Sequence, residues 1–449
     1  MLYYGLKFIL NIFYRVFYRL GYRNLDRIPR GRPVILAPNH TNAFIDPTIL
    51  AMLLPLEVRF FARGDVFKGK VARYFLDRLN ISPMYRMQEG YSELKKNDKT
   101  FEECKQLLSG DKCILLFPEA ICVQERRLRK LKKGLARILF MTEEEFDFKK
   151  EVLVVPVGLN YNHADKIRSR VFIDVGEPIS AKDYEERFKT DKVRAINEFT
   201  LVLEKKMRET MVVVEDPKND ELMAALEEMF LRPWSSREKG PEKEKQFLAS
   251  RALAELINHY ERVSPTRVMY LREKILPYRK ELHSYKLRDH LLHAEAIEGM
   301  STWSFMGDFI TAWFSTPIYW MGMFMNYPPY FLAQRYADKK VKHIEFHASV
   351  NANLSWMLWL LWYGMQLVAV GLVFRSWLLL GIYALLVPLT LWHAIVYYPM
   401  MKKIFGRWRL MRMVRKQKAT VEKLIYTRYE IEAEVEKMRT EMKKVPIAN

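Results

Sequence analysis

The sequence predicts an α/β fold, a mostly parallel sheet flanked by helices, followed by a charged helical region and a C-terminal two-helix transmembrane hairpin. Three observations carry this reading. Between about Pro33 and Ile179, short apolar runs alternate with amphipathic helical ones, the βα pattern of a largely parallel sheet. From Asp183 to about Glu298 the chain is highly charged and helical in pattern, broken at Pro217, Pro233, Pro241, Pro265 and Pro277. Leu354 to Phe374 then holds no charged side chain over 21 residues, about 30 Å of helix and so a bilayer core, and Trp377 to Tyr398 repeats the pattern.

Taken in order, residues 1–25 predict an amphipathic helix at a membrane interface. Lys7, Asn11, Arg15, Arg19 and Arg23 recur every four residues, one polar and basic stripe on an otherwise apolar helix. No small-residue cleavage site follows, so a signal peptide is not expected. Residues 26–181 form the α/β domain. Its strands are expected at Val34–Pro38, Val58–Ala62, Ile81–Tyr85, Cys113–Pro118, Val152–Leu159 and Val171–Val175, and its helices at Pro47–Leu54, Tyr91–Leu108 and Leu135–Glu145. Residues 182–300 are the charged helical region, whose charge runs are most simply solvated faces. Residues 301–350 form an interfacial or re-entrant segment, because the apolar stretch Phe309 to Ala333 is interrupted by Pro317 and by Pro328–Pro329. The hairpin occupies 351–400, with Trp356, Trp359, Trp377, Tyr397 and Tyr398 near the span ends, where amphipathic rings favour the headgroup layer. Residues 401–449 are a basic helix. Lys339, Lys340 and Lys342 precede the hairpin and eight cations from Lys402 to Lys418 follow it, while the turn holds only Arg375. That bias predicts a two-pass protein of the cytoplasmic membrane, with its N-terminal region on the cytoplasmic side.

Composition narrows the partners. The 449 residues carry 73 Lys+Arg against 53 Asp+Glu, a net charge of +20, yet half of them are hydrophobic. So much apolar surface excludes a disordered chain, and the charge leaves nucleic acid or an anionic membrane face as partner classes. The cations flank apolar spans and no nucleic-acid-binding motif accompanies them, which favours lipid over nucleic acid. Cys104, Cys113 and Cys122 form no CxxC pair, so free thiols in a reducing compartment are expected. No Cys/His cluster has metal-ligand spacing, and no metal is expected.

Four motifs stand at the ends of expected strands, where α/β folds place their sites. The first is Pro38-Asn39-His40-Thr41-Asn42-Ala43-Phe44-Ile45-Asp46-Pro47. Asp46 lies six positions beyond His40, about 240° away on a helix, so they meet only if a loop bends into a helix near Pro47. The carboxylate would then hold one imidazole nitrogen while the other takes a proton from a hydroxyl; the alternative is an N-capping Asp46 beside an unrelated surface His. The second motif, Ile81-Ser82-Pro83-Met84-Tyr85-Arg86, sends an Arg from a strand end, as an anion site requires. Third comes Leu115-Leu116-Phe117-Pro118-Glu119-Ala120, followed by the cations of Arg126 to Lys133, either a site for a phosphorylated substrate or a solvated basic face. The fourth, Val154-Val155-Pro156-Val157-Gly158-Leu159-Asn160-Tyr161, is pocket wall or plain sheet core.

In this order and spacing the motifs resemble the four blocks of the lysophospholipid/glycerol-phosphate acyltransferase superfamily, over roughly residues 20 to 180. The C-terminal helical block and hairpin look similar to a bacterial subgroup related to the fungal glycerol-3-phosphate/dihydroxyacetone-phosphate acyltransferases. The resemblance implies transfer of a fatty acyl group from acyl-CoA or acyl-carrier protein to a glycerol-phosphate acceptor, lysophosphatidic acid or glycerol-3-phosphate, without a cofactor. It implies His40 as general base, Asp46 as its orienting carboxylate, Arg86 as phosphate ligand and Glu119 as a substrate-positioning residue. Asn39 and Pro118, inside the motifs, and Lys133, from the basic run, complete the expected substrate-binding set. Five residues separate His40 from Asp46 where most of the superfamily has four, as in the fungal-type subgroup, and Ala120 stands where Gly is usual. Cys122 lies nearby, with no adjacent His to make it a nucleophile. The alternatives are an acyltransferase for another lysophospholipid or lipid acceptor, or a non-catalytic basic membrane-binding protein.

Overall fold

The computed structural model describes residues 2–67, 69–85, 97–293 and 302–444. The chain divides into two units. The first comprises Met1–Val213 with Lys239–Phe247 and His343–Ser349; the second comprises Val214–Glu238, Leu248–Lys342 and Val350–Asn449.

The first unit opens with helix α1 (Leu2–Phe17) and strand β1 (Arg19–Arg23). There follow β2 (Val34–Pro38), α2 (Ile45–Leu53), β3 (Val58–Arg63), α3 (Lys70–Arg78), β4 (Ile81–Met84), α4 (Asn97–Ser109), β5 (Cys113–Leu115) and α5 (Gly134–Glu145). Then come β6 (Leu153–Tyr161), β7 (Arg170–Val175), the short β8 (Ile179–Ser180), α6 (Glu185–Thr190) and α7 (Lys192–Glu209). The strand order is β1-β7-β6-β2-β5-β3-β4, with β8 pairing β6. The pairs β6–β2, β2–β5, β5–β3 and β3–β4 are parallel, as is β1–β7; β6–β7 and β6–β8 are antiparallel. Central strands β2, β5 and β6 are almost wholly buried, which is why they read as continuous apolar runs.

Two expectations change here. The N-terminal helix stops at Phe17, and Arg19–Arg23 is an edge strand on β7 instead of a further helical turn. Arg23 therefore leaves the basic stripe: its guanidinium grips Asp174 through two 2.7 Å bonds, so the four-residue spacing was partly fortuitous. α1 is half embedded, with Leu10, Tyr14 and Phe17 buried and Tyr4, Phe8 and Ile12 exposed. The domain also runs past residue 181. Phe199, Leu203 and Met207 of α7 belong to the same apolar core as Ile35 and Leu139, so the sheet needs this amphipathic helix as cover. Gly158 lets that cover come close, since a Cβ there would lie 1.9 Å from the Thr210 carbonyl oxygen.

The second unit contains α8 (Asp220–Ser235), most of α9 (Glu242–Val263), α10 (Pro265–Ser284), α11 (Thr302–Lys340), most of α12 (Ile344–Phe374), α13 (Trp377–Lys416) and α14 (Lys418–Lys444). Pro233 and Pro277 lie inside helices where breaks were expected, while Pro265 takes the favourable first position of α10. α12 and α13 are long and apolar enough to cross a membrane, with mean hydropathy 1.8 and 2.0 in their most apolar stretches. None of that stretch in α12 is buried and only 17% in α13, unlike the core helix of a water-soluble domain. Phe309 to Ala333 lies within one long helix, α11, which keeps Pro317, Pro328 and Pro329 in its interior.

Candidate active site

The site forms at the C-terminal ends of β2, β5 and β6. After Pro38 the chain leaves the sheet, loops through His40 and enters α2 at Ile45, so Asp46 falls in the first helical turn and faces back on the loop. Asp46 is fully buried, and its carboxylate gathers four donors. His40 Nδ1 lies 2.9 Å and the backbone N–H groups of Thr41 and Asn42 lie 2.8 and 2.7 Å from Oδ2; the Tyr161 hydroxyl lies 2.7 Å from Oδ1. A carboxylate only accepts here, so Nδ1 carries its hydrogen and Nε2 remains the ring's acceptor. The loop-into-helix bend thus pairs His40 with Asp46, and the N-capping alternative becomes part of the same arrangement.

The imidazole is further constrained. It stacks on Phe117 with centroids 3.8 Å apart and planes 16° apart. Its backbone N–H donates to Glu119 Oε1 at 2.9 Å, while Glu119 Oε2 accepts from Arg129 N at 3.0 Å. Glu119 is thereby buried between two loops, and burial raises its carboxyl above the usual range while the Arg129 and His40 amides pull the other way. Ala120 keeps the left-handed turn of the usual Gly, at φ 57°, with its methyl exposed.

The remaining expected residues separate. Asn39 is turned to β6, where its amide donates to Leu159 O at 3.1 Å and accepts from Leu159 N at 2.6 Å; both polar ends hold the sheet. Pro118 is buried and its carbonyl accepts from Lys132 N at 2.8 Å. Lys133 is exposed beside the start of α5. Arg86 lies outside the described residues. Much of the basic run is engaged within the protein: Arg127 and Arg129 both pair with Glu125, and Arg126 donates to Asn162 O at 3.2 Å. Cys122 accepts the Ala43 N–H at 3.2 Å, and burial pushes its thiol far up, away from thiolate chemistry.

Three participants escaped sequence reasoning. Tyr161 ends the fourth motif, and its hydroxyl gives that motif a polar role toward Asp46. Ser349, at the start of α12, donates to Asn42 Oδ1 at 2.8 Å and accepts from Phe44 N at 3.1 Å, a link across 307 residues that no local pattern signals. Thr41 is buried, and its hydroxyl has no partner among the described residues.

Comparison with known proteins matches residues 19–160 to the family model named Acyltransferase. Among curated proteins, glycerol-3-phosphate O-acyltransferase 2 of Saccharomyces cerevisiae is 28% identical over 209 residues, 44% of this chain and 26% of that protein. Glycerol-3-phosphate O-acyltransferase 1 of the same yeast is 24% identical over 246 residues, 52% of this chain and 31% of that protein. The chain thus spans about a quarter to a third of the length of these relatives. A solved structure, the 1-acyl-sn-glycerophosphate (LPA) acyltransferase PlsC from Thermotoga maritima, aligns at 19% identity and a TM-score of 0.31, covering 43% of this chain and 77% of that one. The matched residues 19–160 contain the His40–Asp46 pair, and over them the chain is similar to the acyltransferase family.

Proposed function

We propose that this chain is a membrane-bound O-acyltransferase that moves a fatty acyl group from acyl-CoA or acyl-carrier protein to a glycerol-phosphate acceptor, lysophosphatidic acid or glycerol-3-phosphate. The observation that carries the reading is the 2.9 Å bond from His40 Nδ1 to a fully buried Asp46, which aims Nε2 as a base. Nε2 takes the proton of the acceptor hydroxyl as that oxygen attacks the thioester carbonyl carbon. The tetrahedral intermediate collapses with cleavage of the C–S bond, and the imidazolium returns its proton to the departing thiolate. A thioester is already activated, so the step needs a base and hydrogen-bond donors rather than a covalent enzyme intermediate. Thr41 Oγ, buried beside the base without a partner among the described residues, suits a contact to a substrate oxygen.

An apolar donor chain and a lipid product suit an enzyme anchored by α12 and α13, with Lys402, Lys403, Arg407 and Arg409 near lipid phosphates. The test is mass spectrometry of products after purified protein receives acyl-CoA or acyl-carrier protein with lysophosphatidic acid and glycerol-3-phosphate in competition. One acylated phosphoglycerol product from the native chain, and none from His40→Ala at equal membrane insertion, is the expected result. Full activity in His40→Ala overturns the mechanism; transfer to neither acceptor overturns the substrate class.

A further inference from the structure

The polar contacts of α11 change partner halfway along it. Over its first half, α11 runs antiparallel to α13: Asp308 meets Arg407 at 2.8 Å, Thr316 meets the Tyr397 hydroxyl at 2.6 Å, and Asn326 Nδ2 donates to Val387 O at 3.3 Å. Between these, a Cβ on Gly322 would lie 2.4 Å from the Thr390 carbonyl oxygen, so the two helices approach backbone to backbone. From Met325 onward partners on α12 take over, again in antiparallel order, with Asn326 touching both helices. Met325 O accepts from Trp362 Nε1 at 2.8 Å and Gln366 Nε2 at 3.0 Å, Asn326 Oδ1 from Trp359 Nε1 at 2.9 Å, and Asn351 Nδ2 donates to Gln334 Oε1 at 3.3 Å.

α12 and α13 are themselves antiparallel. The Tyr363 hydroxyl donates to Ala384 O, and the Tyr383 hydroxyl to Gln366 Oε1, both at 2.6 Å. A straight rod cannot run antiparallel to two helices that oppose each other. α11 therefore changes direction where its partners change, and Pro328–Pro329 stand there. Two successive prolines remove the N–H groups that would bond the carbonyls of Phe324 and Met325, and the Met325 carbonyl is the one taken by Trp362 and Gln366.

We infer that α11 is a re-entrant wedge that enters and leaves the bilayer on one face, with its apex at Met325–Pro329 near the midplane. Val387, level with the apex, lies ten residues beyond Trp377, about 15 Å of helix and so half a hydrocarbon core. Residues 309–334 hold no charged side chain, whereas Asp308 marks one end and Arg335, Lys339 and Lys340 the other. Trp313, Phe314, Trp320 and Phe324 are exposed along the wedge, and its partner is the acyl-chain layer of a single leaflet, continuous with the lipid around α12 and α13. The inference rests on the membrane reading of α12 and α13.

Single cysteines at Val193, Trp303, Tyr327, Lys340 and Arg375, treated with a membrane-impermeant maleimide in sealed vesicles of either orientation, test it against the parent chain as blank. Trp303→Cys, Lys340→Cys and the catalytic-unit reporter Val193→Cys should label from one face and Arg375→Cys from the other. Tyr327→Cys should lose labelling in sealed vesicles and regain it in detergent. Trp303→Cys and Lys340→Cys labelling from opposite faces means that α11 crosses, and Tyr327→Cys labelling in sealed vesicles means that it lies outside the bilayer; either overturns the wedge alone. Arg375→Cys labelling with Lys340→Cys means that α12 does not cross, which overturns the two-pass reading and the wedge with it.

Discussion

Both units bury polar side chains, and the two sets end differently. In the first, Asp46 collects His40, Thr41, Asn42 and Tyr161, and the cluster still presents one imidazole nitrogen as an acceptor for a substrate proton. In the second, Trp362 and Gln366 close on the Met325 carbonyl, and Tyr363 closes on the Ala384 carbonyl. Those carbonyls lack their helical partners because residues 329 and 388 are prolines. A polar cluster that leaves one group unmet can do chemistry, while one that closes on orphaned carbonyls holds backbone in place. Substitutions in the first should therefore change turnover, and those in the second should change stability.

The largest effect belongs to the His40–Asp46 pair. Asp46→Asn should lower kcat by about 10²–10⁴-fold through loss of the imidazole's orientation. Combined with His40→Ala it should cost no more than His40→Ala alone, because the two act as a unit. Steady-state acyl transfer measures this, and additive losses would separate the pair. Next comes a stability effect in the second unit. Arg428, almost fully buried, meets Asp289 Oδ1 at 3.3 Å, and the Tyr278 hydroxyl also donates to that carboxylate at 2.8 Å. Burial raises the Asp289 carboxyl despite these partners. Arg428→Met strands that carboxylate and should destabilise the unit by about 3–5 kcal/mol. Arg428→Met with Asp289→Leu should recover much of the loss in detergent denaturation.

Tyr161→Phe is smaller and diagnostic. It removes one hydrogen bond to a charged carboxylate, about 1.5 kcal/mol, and should lower kcat about tenfold with little change in acceptor KM. A change confined to KM would make Tyr161 a substrate ligand instead.

Much of the first unit was legible because its signals are local. β2 through Pro38, the loop and the start of α2 are contiguous, so NHTNAFIDP contains both members of the pair and the bend that joins them. Ala120 marks a limit of residue type as evidence: the turn keeps φ 57° without its glycine, so Ala120→Gly should add about 1 kcal/mol of stability. Tyr161 was visible as a strand end but not as a donor, because its partner Asp46 lies 115 residues earlier. β1 was lost to a helical period that Arg19 and Arg23 extend by coincidence, and tertiary pairing with β7 overrode it. Asn39 looked like a ligand because it adjoins His40, yet the sheet takes both ends of its amide. In the second unit, hydropathy marked α12 and α13 through side chains alone. Pro329 of α11 looked like a break because the groups that satisfy the orphaned Met325 carbonyl sit on another helix.

The closest test of the contrast applies one substitution to both units. Tyr363→Phe deletes a hydroxyl that donates to Ala384 O at 2.6 Å, as Tyr161→Phe deletes one that donates to Asp46 at 2.7 Å. The lost oxygen is the same and the bonds are of similar length, but the acceptors differ. Ala384 O is an uncharged carbonyl that Pro388 deprives of its helical donor, and interhelical hydrogen bonds in bilayers contribute about 0.6 kcal/mol on average. Tyr363→Phe should therefore shift unfolding by about that amount in mixed micelles and leave kcat unchanged. A tenfold fall in kcat from Tyr363→Phe would mean that the apolar helices take part in turnover, and the division between a reactive cluster and a closed one would fail.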